Sequence, residues 1–292
     1  MKQLALSFNG GGALGIGPAY VLTRLEQDLN GKSICELTHA YAGTSTGAII
    51  AGCLAEGING HEIFKLYQDN VKKIFTKYSF LKRLNPKCPP YDNSNLKKLL
   101  KERLHGRCSE WFKPVFVPTV FMNGESEEKV WDKGDPDTDK WFAILSSTAA
   151  PTYFDVAIDE KGHRCFCDGG LWGNDPVMTL VSGLMEKGWS NKDFKVISFN
   201  TGFDIPHNDF GNKTKAEWAI YLIKRWIARS GKANYFEARA VLGKENIFRC
   251  SPKVDKELDM DDTSDKAINR IIDIWSDWYE QNKKELLYFI QH

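Results

Sequence analysis

The 292-residue sequence has no long apolar run, no surplus of either charge and no paired cysteine pattern. No stretch approaches the ~20 apolar residues that a bilayer-spanning helix needs, so an integral membrane fold is not expected. The apolar run in Met1–Phe8 is interrupted by glycines too early for a secretory signal peptide. Lys and Arg number 39 against 38 Asp and Glu, a net charge of +1. With no basic excess and no aromatic-plus-arginine repeat, nucleic acid is not an expected partner; a local patch for a membrane surface does not show in a net charge. The seven cysteines, at 35, 53, 88, 108, 165, 167 and 250, are an odd number. Only Cys165 and Cys167 are close, and C-x-C without a second pair is poor zinc spacing. Free thiols, no metal and a reducing cytoplasmic compartment are the expectation. There is no linker and no internal repeat, so one domain over 1–292 is expected. What is present is ordinary globular material, 42% hydrophobic and 26% charged, long enough to bury a large core.

The stretch that organises the chain is Gly43-Thr44-Ser45-Thr46-Gly47, which fits G-x-S-x-G. Leu37–Ala42 reads as a short buried strand before it. Ala48–Ala55 reads as a buried helix of small and aliphatic residues after it. A serine on such a strand-to-helix turn is thrust outward with a helix N-terminus behind it. Glycines at 43 and 47 fit positions where a side chain would strike the neighbouring strand or helix.

Upstream, residues 2–8 form a strand that runs into Asn9-Gly10-Gly11-Gly12-Ala13-Leu14-Gly15, and Ile16–Leu25 reads as an amphipathic helix with Pro18 early in it. Strand, glycine loop and helix make an anion cradle of backbone N–H groups. Two chemistries use it. Gly10, Gly12 and Gly15 satisfy G-x-G-x-x-G, which suits a dinucleotide pyrophosphate, although Glu36 opens the second strand where the fingerprint acid should end it. The other use is an oxyanion hole for Ser45, if the two strands are neighbours.

The rest of the chain alternates strand and helix. Helices are expected at Gly60–Lys77, with Lys72, Lys73 and Lys77 on its polar face, and at Asn95–Leu104, Trp141–Ser147 and Val177–Lys187. Strands are expected at Pro114–Met122, continuing at Val130-Trp131, then at Phe154–Ile158, His163–Phe166 and Phe194–Phe199. An aspartate closes one of them in Asp168-Gly169-Gly170, followed by Asn174-Asp175-Pro176. The last third reads as helices at Lys215–Arg229, Ala233–Leu242 and Ser264–Tyr288.

Taken together, these stretches resemble the patatin-like phospholipases. Asn9–Gly15 is similar to their glycine-rich oxyanion loop, Gly43–Gly47 to their nucleophile elbow, and Asp168-Gly169-Gly170 to their aspartate motif. Ser147–Phe154 is similar to their Ala-Ala-Pro-x-Tyr-Phe block, and Val196–Gly202 to a strand ending in Thr-Gly. The agreement covers about residues 1–205 and is looser over the helical part, about 206–292. The resemblance implies a three-layer α/β/α fold with a mostly parallel central sheet. It also implies a Ser45–Asp168 dyad without a catalytic histidine, oxyanion donors at Gly10, Gly11 and Gly12, and no metal or other cofactor. The implied substrate is a phospholipid or other acyl-ester lipid, met peripherally at a membrane from the cytoplasm. Activity is expected to be held back by a lid or by the want of a small-molecule or protein activator, since an unrestrained lipase would harm its own cell. The chain departs from the family at Leu14, where a basic residue is usual, and at Asn9, where Asp is frequent.

Two other enzymes fit parts of the pattern. A Ser-His-Asp esterase would use His207, which has the right chain order after Ser45 and Asp168 but lies in a polar loop. A dinucleotide-binding oxidoreductase would use the Gly10–Gly15 loop.

Overall fold

The computed structural model describes residues 2–85, 88–201, 211, 214, 217, 218, 231–253 and 258–292. The predicted helix at 215–229, apart from two positions, and His207 lie outside the described residues. Eight strands form one sheet: β1 (Gln3–Phe8), β2 (Thr38–Gly43), β3 (Val115–Phe121), β4 (Glu127–Trp131), β5 (Ala157–Ile158), β6 (Cys165–Asp168), β7 (Phe194–Phe199) and β8 (Ile247–Cys250). Their order is β5-β6-β3-β2-β1-β7-β8, with β4 paired to β3. The pairs β3-β2, β2-β1, β1-β7 and β7-β8 are parallel, while β4, β5 and β6 join antiparallel.

The described helices are α1 (Ile16–Asp28), α2 (Ile34–Leu37), α3 (Thr46–Ala55), α4 (Gly60–Ile74), α5 (Phe80–Arg83), α6 (Ser94–Arg103), α7 (Lys140–Ser147), α8 (Gly170–Gly173), α9 (Val177–Glu186), α10 (Gly231–Leu242) and α11 (Asp265–Gln291). Strand periodicity divides them between two faces. Leu4, Leu6 and Phe8 point into a core shared with α1, α3, α4 and α11. Ala5, Ala40 and Ala42 point the other way, into a core with Val177, Leu180 and Val181 of α9 and Ala238 and Leu242 of α10. This is the expected three-layer arrangement around a mostly parallel sheet, whose strands are apolar on both faces because helices cover both.

Apart from element bounds and short helical turns, the elements differ from the sequence reading in three places. Residues 127–131 fold back on β3 as an antiparallel partner and do not continue it. The strand expected from Phe154 starts only at Ala157, because Tyr153 and Phe154 donate to the Ala150 carbonyl in a turn where Thr152 has φ 72°. A further strand, β8, extends the sheet beside β7.

The last helix, α11, packs on α1 at a close backbone approach: a Cβ on Gly17 would lie 2.0 Å from ring atoms of the buried Trp275. Gly17→Ala is therefore expected to destabilise the fold by about 3 kcal/mol, read from the urea unfolding midpoint.

Candidate active site

The parallel register of β1 and β2 sets Phe8 opposite Gly43. The glycine loop and the serine turn therefore leave the sheet side by side at the same end, where ligands of open α/β sheets bind. Ser45 sits between β2 and α3 with φ 54° and ψ −122°, a conformation costing about 1–3 kcal/mol in a non-glycine residue. Its surroundings hold it there. The Ser45 N–H donates to Ser147 Oγ at 3.0 Å, and that hydroxyl donates to the Pro118 carbonyl at 2.6 Å. The Thr44 hydroxyl donates to the Gly173 carbonyl at 2.6 Å. The turn is also too tight for side chains at its ends. A Cβ on Gly43 would lie 2.2 Å from the Gly47 carbonyl oxygen, and one on Gly47 would lie 2.1 Å from that of Phe8.

Asp168 closes β6, opposite Thr119 of β3. It is 1% exposed. Its Oδ1 accepts the Gly170 N–H at 2.6 Å, and the Ser45 side chain lies close enough to act on the carboxyl electrostatically. Burial pushes this carboxyl up to about 7, against the opposing pull of the neighbouring Ser45 side chain and the Gly170 N–H. Gly169 backs directly onto the Pro118 carbonyl, which brings the aspartate turn against β3.

The glycine loop lies over the serine: a Cβ on Gly10 would come within 3.3 Å of the Ser45 Cβ. The Gly10 N–H donates to the Asn174 carbonyl at 3.0 Å, so it is not the free donor that the sequence pattern suggests. Among the described residues the N–H groups of Gly11 and Gly12 have no acceptor, and neither has that of Thr46, at the N-terminus of α3. Thr46 follows the serine directly, the position from which an elbow supplies an oxyanion donor. Gly15 lies against the Thr46 side chain, whose hydroxyl shares a 2.6 Å hydrogen bond with Tyr67.

A buried network under the loop was not apparent from the residue pattern. Asp175, fully buried, forms a 2.7 Å ion pair with Arg249 of β8. Arg249 also donates to Ser198 Oγ. With its amide nitrogen turned toward the acceptors, Asn9 donates to Asp175 Oδ1 at 3.0 Å and accepts from Arg249 Nη2 at 3.2 Å. Asn9 thus meets a carboxylate supplied from 175, and Thr201 completes the support by donating to the Gly10 carbonyl. The one signal for Arg249 is the short apolar frame Ile247-Phe248-x-Cys250 after Gly243. Leu14, at the position where the family resemblance leads one to look for a basic residue, is buried among apolar side chains.

The competing assignments fare differently. Glu36 lies in α2, exposed, just before β2 and so at the opposite end of the sheet from Gly10–Gly15. An acid there cannot reach a ribose held by that loop. His39 is at that same far end, where its ring accepts the Leu4 N–H.

Comparison with known proteins agrees with the geometry. The family model "Patatin-like phospholipase" matches residues 6–181. Over 220 residues the chain is 29% identical to the cGAMP-activated phospholipase of Escherichia coli, covering 70% of this chain and 59% of that protein. It is 33% identical over 180 residues to that of Pseudomonas aeruginosa, covering 59% and 53%. It thus spans somewhat more than half the length of these relatives. The fold is similar to that of the ExoU–SpcU complex of the Pseudomonas aeruginosa type III secretion system, at TM-score 0.51 and 13% identity, with all of this chain and 52% of that one covered. From the glycine loop through the serine elbow to the aspartate turn, matched as one continuous block, the chain belongs to the patatin-like phospholipase family.

Proposed function

We propose that the chain is a serine lipid acyl hydrolase, of phospholipase A or lysophospholipase type, working through a Ser45–Asp168 dyad. The observation that carries this reading is the fully buried Asp168 carboxyl set beside Ser45, its base strength raised by burial to about 7. An exposed aspartate, at ~3.9, would be a poor base for a hydroxyl near neutral pH. Ser45 Oγ attacks the ester carbonyl carbon as its proton passes to Asp168. The charge on the carbonyl oxygen is held by the N–H groups of Gly11, Gly12 and Thr46, and each such donor is typically worth ~3–4 kcal/mol. The leaving alkoxide takes the proton from Asp168 and departs as the alcohol. Water then attacks the acyl-enzyme, giving its proton to Asp168, which returns it to Ser45 as the acid leaves.

Ser45→Ala is expected to remove both ester hydrolysis and labelling by a fluorophosphonate probe, while the thermal melting curve stays within a few degrees of wild type. Retained hydrolysis would overturn the dyad. Because Asp168 acts as the base only when ionised, kcat/KM should fall about tenfold per unit below pH 7 and level off above it; a profile flat from pH 5 to 8 would exclude Asp168 as the base.

The substrate class we assign is the acyl ester of a membrane glycerolipid, with the protein acting peripherally at the membrane. Among the described residues no helix is long and apolar enough to cross a membrane. Two bacterial relatives are named for activation by cGAMP. We extend to this chain the need for an activator, tested by measuring vesicle hydrolysis with and without a cyclic dinucleotide.

A further inference from the structure

Between Asp69 and Asp92 the chain carries Lys72, Lys73, Lys77, Lys82, Arg83 and Lys87 and no acidic residue. In the middle of this run is the single turn α5, none of whose side chains is buried. Phe80 is 69% exposed, Leu81 78% and Leu84 64%. Isolated exposed apolar residues need no explanation, but three large ones within five positions, flanked by lysine and arginine, form a patch. Lys77, Lys82 and Arg83 are exposed around it.

The base of this excursion is fixed. The Tyr78 N–H donates to the Pro90 carbonyl at 3.0 Å, Lys77 bridges to Tyr91, and the rings of Phe75, Tyr91 and Phe154 pack together. Acidic groups stay at that base, where Asp155 accepts the Tyr78 hydroxyl. The turn is therefore a basic, apolar tip on a packed stem.

Its position follows from its neighbours. Helix α4 starts at Gly60, packed on Leu22 and Thr23 in α1, and passes Tyr67, whose hydroxyl meets that of Thr46, next to Ser45. After the turn the chain returns through Tyr91, whose N–H donates to the Tyr153 carbonyl and whose hydroxyl donates to Asp261. Next to Asp261, the Met260 carbonyl accepts the Ala13 N–H of the glycine loop at 2.7 Å. The turn thus stands on the rim at the end of the sheet that carries Ser45.

We infer that the Phe80–Leu84 turn is a membrane anchor that seats this rim on an anionic phospholipid surface. Phe80, Leu81 and Leu84 enter the boundary of the acyl chains, while Lys77, Lys82 and Arg83 meet headgroup phosphates. The inference builds on the lipid hydrolase reading and names the surface through which that site would meet its substrate.

Vesicle co-sedimentation tests it, with vesicles of phosphatidylcholine alone or mixed with phosphatidylglycerol. Wild type is expected to bind the mixed vesicles. F80A/L81A/L84A should bind them about a hundredfold more weakly. K82Q/R83Q should lose about thirtyfold on mixed vesicles and nothing on phosphatidylcholine. Both variants should keep the wild-type melting temperature and the wild-type turnover of a water-soluble short-chain ester. Triple-variant binding equal to wild type would overturn the anchor. So would no binding of wild type to the mixed vesicles, or self-association of wild type that the triple variant abolishes. If wild type and Ser45→Ala were equally inert on the soluble ester even with a cyclic dinucleotide present, the hydrolase reading would fall while vesicle binding still judged the anchor.

Discussion

Asp168→Asn is expected to lower ester hydrolysis by about 10,000-fold and, in the same molecule, to stabilise the fold above neutral pH. The two effects share one cause. Burial holds the Asp168 carboxyl at about 7 in the folded chain, against ~3.9 when unfolded. Between these values the native state keeps a proton that the unfolded chain has released. Stability contributed by this residue is therefore fully present below about pH 4, falls as pH rises toward 7, and stays low above it. Ionised Asp168 thus costs the fold up to about 4 kcal/mol at pH 8. An asparagine removes that cost and can still accept the Gly170 N–H through its amide oxygen. Urea unfolding at pH 8 and pH 5 should show a gain for Asp168→Asn at the higher pH that shrinks at the lower one. An equal change at both would mean that the carboxylate is not strained by its burial. The loss of hydrolysis follows because an amide cannot take the Ser45 proton.

Arg249→Met is expected to be the most destabilising of the single substitutions considered. It leaves the Asp175 carboxylate buried without its cation, a change that typically costs about 3–5 kcal/mol. Burial already pushes Asp175 up, and Arg249 is the charge that pulls it back. Without that charge the native state holds the proton more firmly, so the deficit should be largest near neutral pH and narrow as pH falls. Asp175→Asn added to Arg249→Met should recover most of the loss, as expected when both halves of a buried pair are replaced. The coupling is read from a double-mutant cycle of unfolding free energies. Hydrolysis should fall in the single variant as well, because the neighbouring Asn174 carbonyl fixes Gly10 over Ser45. Additive effects of the two substitutions would show that Arg249 and Asp175 do not act as a pair.

The parts of the fold legible beforehand share one property: their signals are local. The apolar strand and buried helix around Ser45, the glycine loop before α1 and the aspartate before Gly169-Gly170 are each written within about twenty consecutive residues. The parts not legible depend on partners far along the chain. β8 is four residues long with an arginine inside it, and it is a strand because β7 offers a free parallel edge. Phe154 and Val156 have β-forming side chains, yet the Ala150 carbonyl captures the amides of Tyr153 and Phe154 in a turn. The Gly10 amide belongs to the same glycine run as those of Gly11 and Gly12. Only the approach of Asn174 shows that it is already engaged.

By itself the sequence determined the layered α/β class and, through its motifs, the family, and it singled out Ser45 and Asp168 as candidates, because alternation, glycine spacing and turn residues act over short distances. Tertiary structure alone decided which amides stay free above Ser45, which cation neutralises Asp175, and that an apolar, basic turn stands beside the site. Those are matters of burial and through-space approach. A carboxylate at 175 and a guanidinium at 249 are ordinary surface residues on paper, and they become a 2.7 Å ion pair around a buried carboxylate only when the fold sets the turn before α9 against β8.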